Sequence, residues 1–472
     1  MFERVIPSEV EESVIVGFNI RDLATSLDMT RSNKSKPRRQ LGFFDATMIV
    51  MGGIVGAGIF ANPSEVAHRV HTPVLILGVW VFGGLLAMCG AFIWAELATR
   101  LPGAAGGQYF YLREAYHPSV AFVYGWGLLL VTQTGGMAAV AVIFSSYFRE
   151  LTGTAWNGSV VAAAALLILT AINCFGARAG SNVQNALMLL KIGAIAALVV
   201  IGFAFGHTPQ SALVLEKPPS FGVLKSIGAA MVPIAFAYGG WQTATFIAAE
   251  IRDPRRDLSR GLLLGVAAVV ALYLAVNVAC LRVLGPVGLG ATTTPASDLI
   301  RIAIGQNGAR WIALAIAISA LGFLSQSMLT APRVYYAMAR DELFFASVGK
   351  LFGKAEAPVP AIILQGFAAV VIACSGTYGE ILNFEVTVDF IFFGMTAAAL
   401  FILRRRDIGS DSVIYRVPGH PFTTMLFVLS CAGIVVSAIV ASPWNSAIAL
   451  CIMLAGVPVY YVWRRLTREP RK

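Results

Sequence analysis

About twelve apolar runs, each near the roughly 20 residues a helix needs to cross a hydrocarbon core of about 30 Å, follow one another along this chain. They lie near 43–70, 73–98, 118–148, 158–176, 184–206, 223–250, 259–284, 309–339, 358–375, 379–403, 421–442 and 445–463, with only short loops between them. No other feature restricts the fold as strongly, because lipid offers a backbone amide no partner and each spanning segment has to satisfy its own. The expectation is an all-α membrane protein of about 12 transmembrane helices, with no room for a soluble domain. Composition agrees: 57% of the residues are hydrophobic and 13% charged, against roughly 25% charged in a soluble domain.

The first 42 residues are polar and carry VEES followed by RSNKSKPRR. A signal peptide would set its apolar core much nearer Met1. Residues 1–42 are therefore expected to form a retained cytoplasmic tail, and an even number of spans returns the tail 464–472 to the same side. Basic residues test this orientation. About 27 of the 35 Lys and Arg fall in segments placed inside and about 7 in segments placed outside, the bias of cytoplasmic loops. The net charge of +10 follows from clusters such as Arg404 to Arg406 and Arg464, Arg465, Arg468, Arg471 and Lys472. These suit an anionic leaflet, so membrane lipid and not nucleic acid is the partner implied, in the cell (inner) membrane. The six cysteines, Cys89, Cys174, Cys280, Cys374, Cys431 and Cys451, sit in or at the ends of apolar runs with no CxxC or His pairing. They are read as small buried hydrophobes, with neither disulfide nor bound metal expected.

Two runs carry helix-weakening residues where a span should be most regular. One is GGIVGAGIFANP from Gly52 to Pro63; the other is MVPIAFAYGGWQTATF, with Pro233, Gly239 and Gly240. Non-helical backbone survives at membrane depth only where protein buries it or it lines a cavity, and freed N–H and C=O groups make such a cavity a polar ligand site. The breaks fall in runs 1 and 6, equivalent places if runs 1–5 and 6–10 form two halves. Paired interrupted segments of that kind mark the binding site of an inverted-repeat secondary transporter. Close packing through the GxxxG of Gly52 and Gly56 is the alternative for the first break alone. It leaves the aromatic neighbours Phe236, Tyr238 and Trp241 of the second unexplained.

At these residues the chain resembles a known group. GGIVGAGIF is similar to the first-helix signature of the amino acid, polyamine and organocation (APC) transporter superfamily. FAYGGWQTATFIAAEIRDPRRDLSRG resembles the sixth-helix segment and following loop of its L-type amino acid transporter (LAT) branch, in its prokaryotic form, and LTAPRVYYAMARDELF resembles the eighth-helix exit. The resemblance runs from Leu41 to about Arg406 and implies a LeuT-like five-plus-five inverted repeat with discontinuous helices 1 and 6. The repeats would be 43–206 and 223–403, followed by two further helices over 421–463.

It further implies that the substrate α-carboxylate meets backbone N–H groups of the first break, here Ala57 and Gly58, bordered by Ile54 and Gly56. The α-ammonium would meet carbonyls of Phe236, Ala237 and Gly239, beside Tyr238, with Phe236 as an aromatic gate. Helix-terminus physics agrees, since a half-helix N-terminus favours an anion and a C-terminus a cation. Ala57 departs from the branch, which usually has Ser there, so a hydroxyl is missing from the carboxylate site. Gln242 follows the second break and, with Gln133 or Thr134 in run 3, is a candidate for the substrate side chain or for helix-packing contacts.

Lys191 is the only ionisable residue in QNALMLLKIGAIAALVVIGFAFG, about seven residues or roughly 10 Å past the expected start of its span. It either snorkels to the interface or stays inside at a cost of about 2.5–3.5 kcal/mol. If inside, it exchanges a proton or stands as a fixed ammonium where a sodium ion would bridge the first helix to the eighth. The resemblance supports the second role, because sodium-independent members carry a lysine here, and it matches Ser327 to the eighth-helix partner. Asp389 in FEVTVDFIFFG is counted as the one clear mid-span acid, open to a proton, a substrate cation or a local hydrogen bond. Asp45, Arg333 and Asp341 sit at expected cytoplasmic ends, and Glu65, His68, Arg69 and His71 at the outer end of run 1.

No HExxH, GxSxG or facing Asp pair appears in the spans, so no enzyme constellation and no cofactor are expected. Nor does a repeated selectivity segment suggest a channel. The functional expectation is sodium-independent secondary transport of neutral L-amino acids by alternating access, as exchanger or proton symporter. Polyamine or organic-cation transport is the alternative, for which several acids should line the cavity. The external loop near Thr152 to Ser159 holds no cysteine. Animal members of the resembled branch join a glycoprotein subunit by a disulfide there, so no disulfide-linked heavy subunit is expected.

Overall fold

The computed structural model describes residues 39–56, 58–102, 106–205, 221–353, 356–375, 378–409, 411 and 413–468. Ala57, most of the N-terminal tail and the last four residues of the C-terminal tail lie outside the described residues. The helices are α1 (Phe43–Ile54), α2 (Gly58–Val70), α3 (Pro73–Arg100), α4 (Gln108–Ala115), α5 (Pro118–Gly127), α6 (Gln133–Thr152), α7 (Gly158–Cys174) and α8 (Ala177–Phe205). They continue with α9 (Phe221–Tyr238), α10 (Ser259–Ala291), α11 (Pro295–Ile304), α12 (Gln306–Thr330), α13 (Pro332–Arg340), α14 (Val359–Ser375), α15 (Tyr378–Arg405), α16 (Phe422–Ala441) and α17 (Pro443–Arg468). A π turn, Leu128–Thr132, joins α5 to α6; a 3₁₀ segment, Trp241–Glu250, follows α9; a second π turn, Pro254–Leu258, precedes α10. Among the described residues there is no β-strand, only isolated bridges such as Leu41 to Ile251.

Local chemistry sets many of the helix starts. Asp45 Oδ2 accepts the Gly42 N–H at 3.0 Å at the head of α1, and Asn157 Oδ1 takes the Ser159 N–H at 2.9 Å before α7. Pro73 and Pro118 open α3 and α5, where a missing N–H costs no helical bond.

Nine helical segments among the described residues are long and apolar enough to cross a membrane. The pair α1 and α2, bent by 41° at the break, makes a tenth. Runs 158–176 and 358–375 carry the shorter apolar helices α7 and α14. The structure thus supports an integral membrane protein with nine or ten such spans, fewer than the twelve apolar runs. Two boundaries differ from the sequence reading. Helix α8 begins at Ala177 and not near 184, and α10 runs past a kink at Gly285 to Ala291. Large apolar side chains such as Leu85, Ile168, Val200, Phe367 and Leu429 stand exposed on outer faces, as lipid-facing residues do.

Both interrupted segments lie deep in the packing. Helix α1 packs on α8, α10, α12 and the 3₁₀ segment; α2 packs on α9 and α10; α15 packs on α6 and on the first π turn.

Candidate functional site

The first break begins where Val55 turns extended, with φ −74° and ψ 90°. Carbonyls that leave the helical ladder inside a membrane protein require partners, and side chains from three other helices supply them. The Tyr273 hydroxyl donates to Ile54 O at 3.0 Å, Lys191 Nζ to Val55 O at 2.5 Å and the Ser319 hydroxyl to Gly56 O at 3.4 Å. Lys191 is fully buried, and it lies 14 positions into α8, or roughly 21 Å along the helix. The snorkelling alternative does not describe it.

The second break follows from Pro233. A proline has no N–H for the carbonyl one turn earlier, and the Arg69 guanidinium donates to that carbonyl, Ala229 O. Asn62 Nδ2 donates to Pro233 O at 2.7 Å, so α2 is tied to α9 at two points. After Tyr238 the chain turns at Gly239 and Gly240, the latter at φ +99°, a region that favours glycine. Phe236 O accepts the Gly239 N–H at 3.2 Å, and Gln242 Oε1 accepts the Gly240 N–H at 3.0 Å. The Thr243 hydroxyl donates to Gly240 O at 2.6 Å and accepts from Gln326 Nε2 at 2.6 Å. The breaks touch backbone to backbone: a Cβ on Gly240 would run into the Gly53 carbonyl, and one on Gly53 would lie 2.5 Å from Gly240 O.

Between them is a cavity with about 700 Å³ of empty space, its open part included. Ile54, Gly56, Gly58, Phe236, Ala237, Gly239, Gln242 and Ser327 all line it. Gln242 does so with its side chain already engaged by the break's own backbone. Tyr238 does not line this cavity. Its ring turns to Trp80 and Tyr273, with centroids 5.6 and 5.2 Å away, beside a separate apolar pocket. Lys191 does not line it either, lying behind α1. Nor is Ser327 bonded to Lys191. Its buried hydroxyl has no hydrogen-bond partner, and the eighth-run residue against the lysine is Gly322, where a Cβ would lie 2.5 Å from Lys191 Cε. Gln133 lines the cavity, whereas Thr134 donates to Leu129 O across the π turn at 2.5 Å.

Several lining residues were not expected: Thr132, Thr243, Phe323, Gln326, Phe393 and, above all, Glu385. Glu385 stands one turn before Asp389 on α15, so the cavity holds two carboxylates and not one. Both acids were visible in NFEVTVDF; an i, i+4 search for acids would have paired them.

Charged residues elsewhere form further pairs between segments. Arg333 Nε donates to Glu250 Oε1 at 2.8 Å, both side chains buried, and the Gln40 and Leu41 N–H groups donate to Glu250 O at 2.9 and 3.1 Å. Asp341 pairs with Arg113 and accepts from the Tyr109 hydroxyl at 2.8 Å. Burial pulls the Arg113 guanidinium down, but the hydrogen bond and charge of Asp341, helped by Glu114, leave it above its ordinary value. Asp45 accepts from Asn185 Nδ2 at 2.8 Å. At the other end of α2, Glu65 and Arg69 form an exposed pair at 3.3 Å.

The sequence matches the model of a family described as amino acid permease over residues 41–460. It is 30% identical over 434 residues to the serine/threonine exchanger SteT of Bacillus subtilis, covering 90% of this chain and 96% of that protein. It is 26% identical to the human large neutral amino acids transporter small subunit 2, covering 92% and 82%. To the mouse b(0,+)-type amino acid transporter 1 it is 27% identical, covering 94% and 91%.

Proposed function

The chain belongs to the amino acid permease family, and on that premise we propose that it is a sodium-independent secondary transporter of neutral L-amino acids, working by alternating access. The family and the named relatives are transporters and not enzymes, and their printed substrates are amino acids. Polyamine carriage is not favoured by them. The observation that carries the reading is the cavity walled by both helix breaks, with Gly53, Ile54, Gly56 and Gly58 on one side and Phe236, Ala237, Gly239 and Gly240 on the other.

In this reading the amino acid main chain lies between the breaks. Its carboxylate meets N–H groups at the head of α2, Ala57 and Gly58, and its ammonium meets the carbonyls that end α9, at Phe236, Ala237 and Gly239. Phe236 closes over the substrate. Lys191 acts as a fixed ammonium bracing the Val55 carbonyl, the place a sodium ion would otherwise hold. The pairing of breaks supports a five-plus-five inverted repeat with discontinuous helices 1 and 6, and the basic-residue bias supports cytoplasmic termini in the plasma membrane. The loop without cysteine supports a carrier that needs no disulfide-linked subunit.

The test is uptake of labelled neutral amino acids into proteoliposomes, with vesicles preloaded with unlabelled amino acids compared with empty vesicles under an inward proton gradient. Saturable, sodium-independent uptake is expected. Restriction to preloaded vesicles would mean exchange, and uptake into empty ones would mean proton symport. Uptake in neither, or a strict need for sodium, would overturn the reading.

A further inference from the structure

With the substrate main chain held between the two breaks, one wall of the cavity is left without a use. That wall is made by α15 and the π turn at Leu128–Thr132, which pack against each other, and it carries Glu385 and Asp389. Four residues apart on a helix, their side chains share a face. The lining residues include no Lys, Arg or His, and Lys191 is turned onto Val55 O behind α1.

Four lining atoms are buried without any hydrogen-bond partner: Thr132 Oγ1, Gln326 Oε1, Ser327 Oγ and Glu385 Oε2. Ser327 is 0% and Gln326 1% exposed. Buried polar atoms are rarely left so, and an unpaired buried charge costs several kcal/mol. Glu385 Oε2 on this wall, and Gln326 Oε1 and Ser327 Oγ of α12 elsewhere in the lining, are therefore open to a donor that arrives with the ligand. A neutral aliphatic side chain supplies none. An ammonium supplies three N–H donors and the missing positive charge, enough to bridge two carboxylates. The π turn fits this use, since such turns mark functional sites and re-aim the residues next to them.

We propose that Glu385 and Asp389 form a side-chain cation subsite, so that the carrier takes α-amino acids whose side chain ends in an ammonium group as well as neutral ones. The inference rests on the transporter reading for its main-chain anchor. With that anchor, the substrate is a zwitterion at one end and a cation at the other; a diamine without a carboxylate uses only the second half of the site.

The test is ligand-induced thermal stabilisation of the purified full-length chain in detergent, titrated with L-lysine, L-norleucine as its uncharged near-isostere, and putrescine. Lysine is expected to bind about tenfold or more tightly than norleucine, the scale of one charge-assisted hydrogen-bond set, and more tightly than putrescine. Glu385→Gln and Asp389→Asn are each expected to bring the lysine-to-norleucine ratio towards one. Norleucine binding as tightly as lysine in the wild type, or a ratio that both substitutions leave intact, would overturn the subsite. If a variant fails to fold, the wild-type order of the three ligands decides alone. Putrescine matching lysine would overturn the amino acid anchor, and norleucine binding with lysine excluded would remove the cation subsite while leaving the transporter reading standing.

Discussion

At the scale of single residues, the site rests on backbone that only certain side chains permit. Gly240 combines a left-handed φ with direct approach to the Gly53 carbonyl. In Gly240→Ala the new Cβ meets both obstacles, at a cost of about 1–3 kcal/mol from backbone strain alone. The expected outcome is loss of saturable uptake by at least about tenfold, with the protein still inserted; proteoliposome uptake normalised to inserted protein checks it. Part of this residue-level detail was legible beforehand, because Gly and Pro act locally and betray a break wherever they occur. The direction of neighbouring side chains was not. Tyr238 and Gln242 sit beside the second break, where the helical phase is reset, and Ser327 lies within the unbroken α12. The chain after Gly240 winds as a 3₁₀ segment, so a 3.6-residue period misplaces every side chain that follows. Tyr238, the last residue of α9 and ahead of that segment, faces Trp80 and Tyr273, not the cavity.

At the scale of elements, the crossing of α8 and α12 holds the lysine in place. Gly322 leaves the space that Lys191 occupies, and Lys191 completes the Val55 carbonyl. Gly322→Ala is therefore expected to act like Lys191→Met. Either leaves Val55 O short of its buried donor, a loss of about 1–3 kcal/mol, read as a lower melting temperature of the purified carrier and reduced uptake. A Gly322→Ala protein with wild-type stability and transport would separate the two residues. The sequence placed Lys191 too near the interface because polar residues at the start of α8 resemble the end of a span. Ser181 and Gln184 are nonetheless buried, and Asn185 reaches Asp45 of α1. Helix–helix contact, not water, surrounds that first stretch. The same difficulty hid Glu385, which stands near the expected start of its run, where an acid is ordinarily solvated.

At the scale of the whole molecule, Glu96 ties together parts that no local pattern connects. It is fully buried and accepts from Arg100 Nε at 2.9 Å, from Arg404 of α15 at 2.9 Å and from the Val417 N–H at 2.7 Å. Glu96→Gln leaves the buried Arg100 and the half-buried Arg404 guanidinium groups without their counter-charge and is expected to cost about 3–5 kcal/mol. Glu65→Gln, at the exposed Arg69 pair, is expected to cost under about 1 kcal/mol. Thermal melts of the two variants side by side check the difference; equal losses would refute the tie. Hydropathy, basic-residue bias and glycine placement are properties of contiguous residues, so the sequence by itself determined an all-α membrane protein, its breaks in runs 1 and 6, and its resemblance to amino acid transporters. Only the tertiary structure decided which polar groups meet. The donor for Val55 O comes from 136 residues away and that for Glu250 Oε1 from 83, and in a low-dielectric interior such pairings depend on which helices pack together.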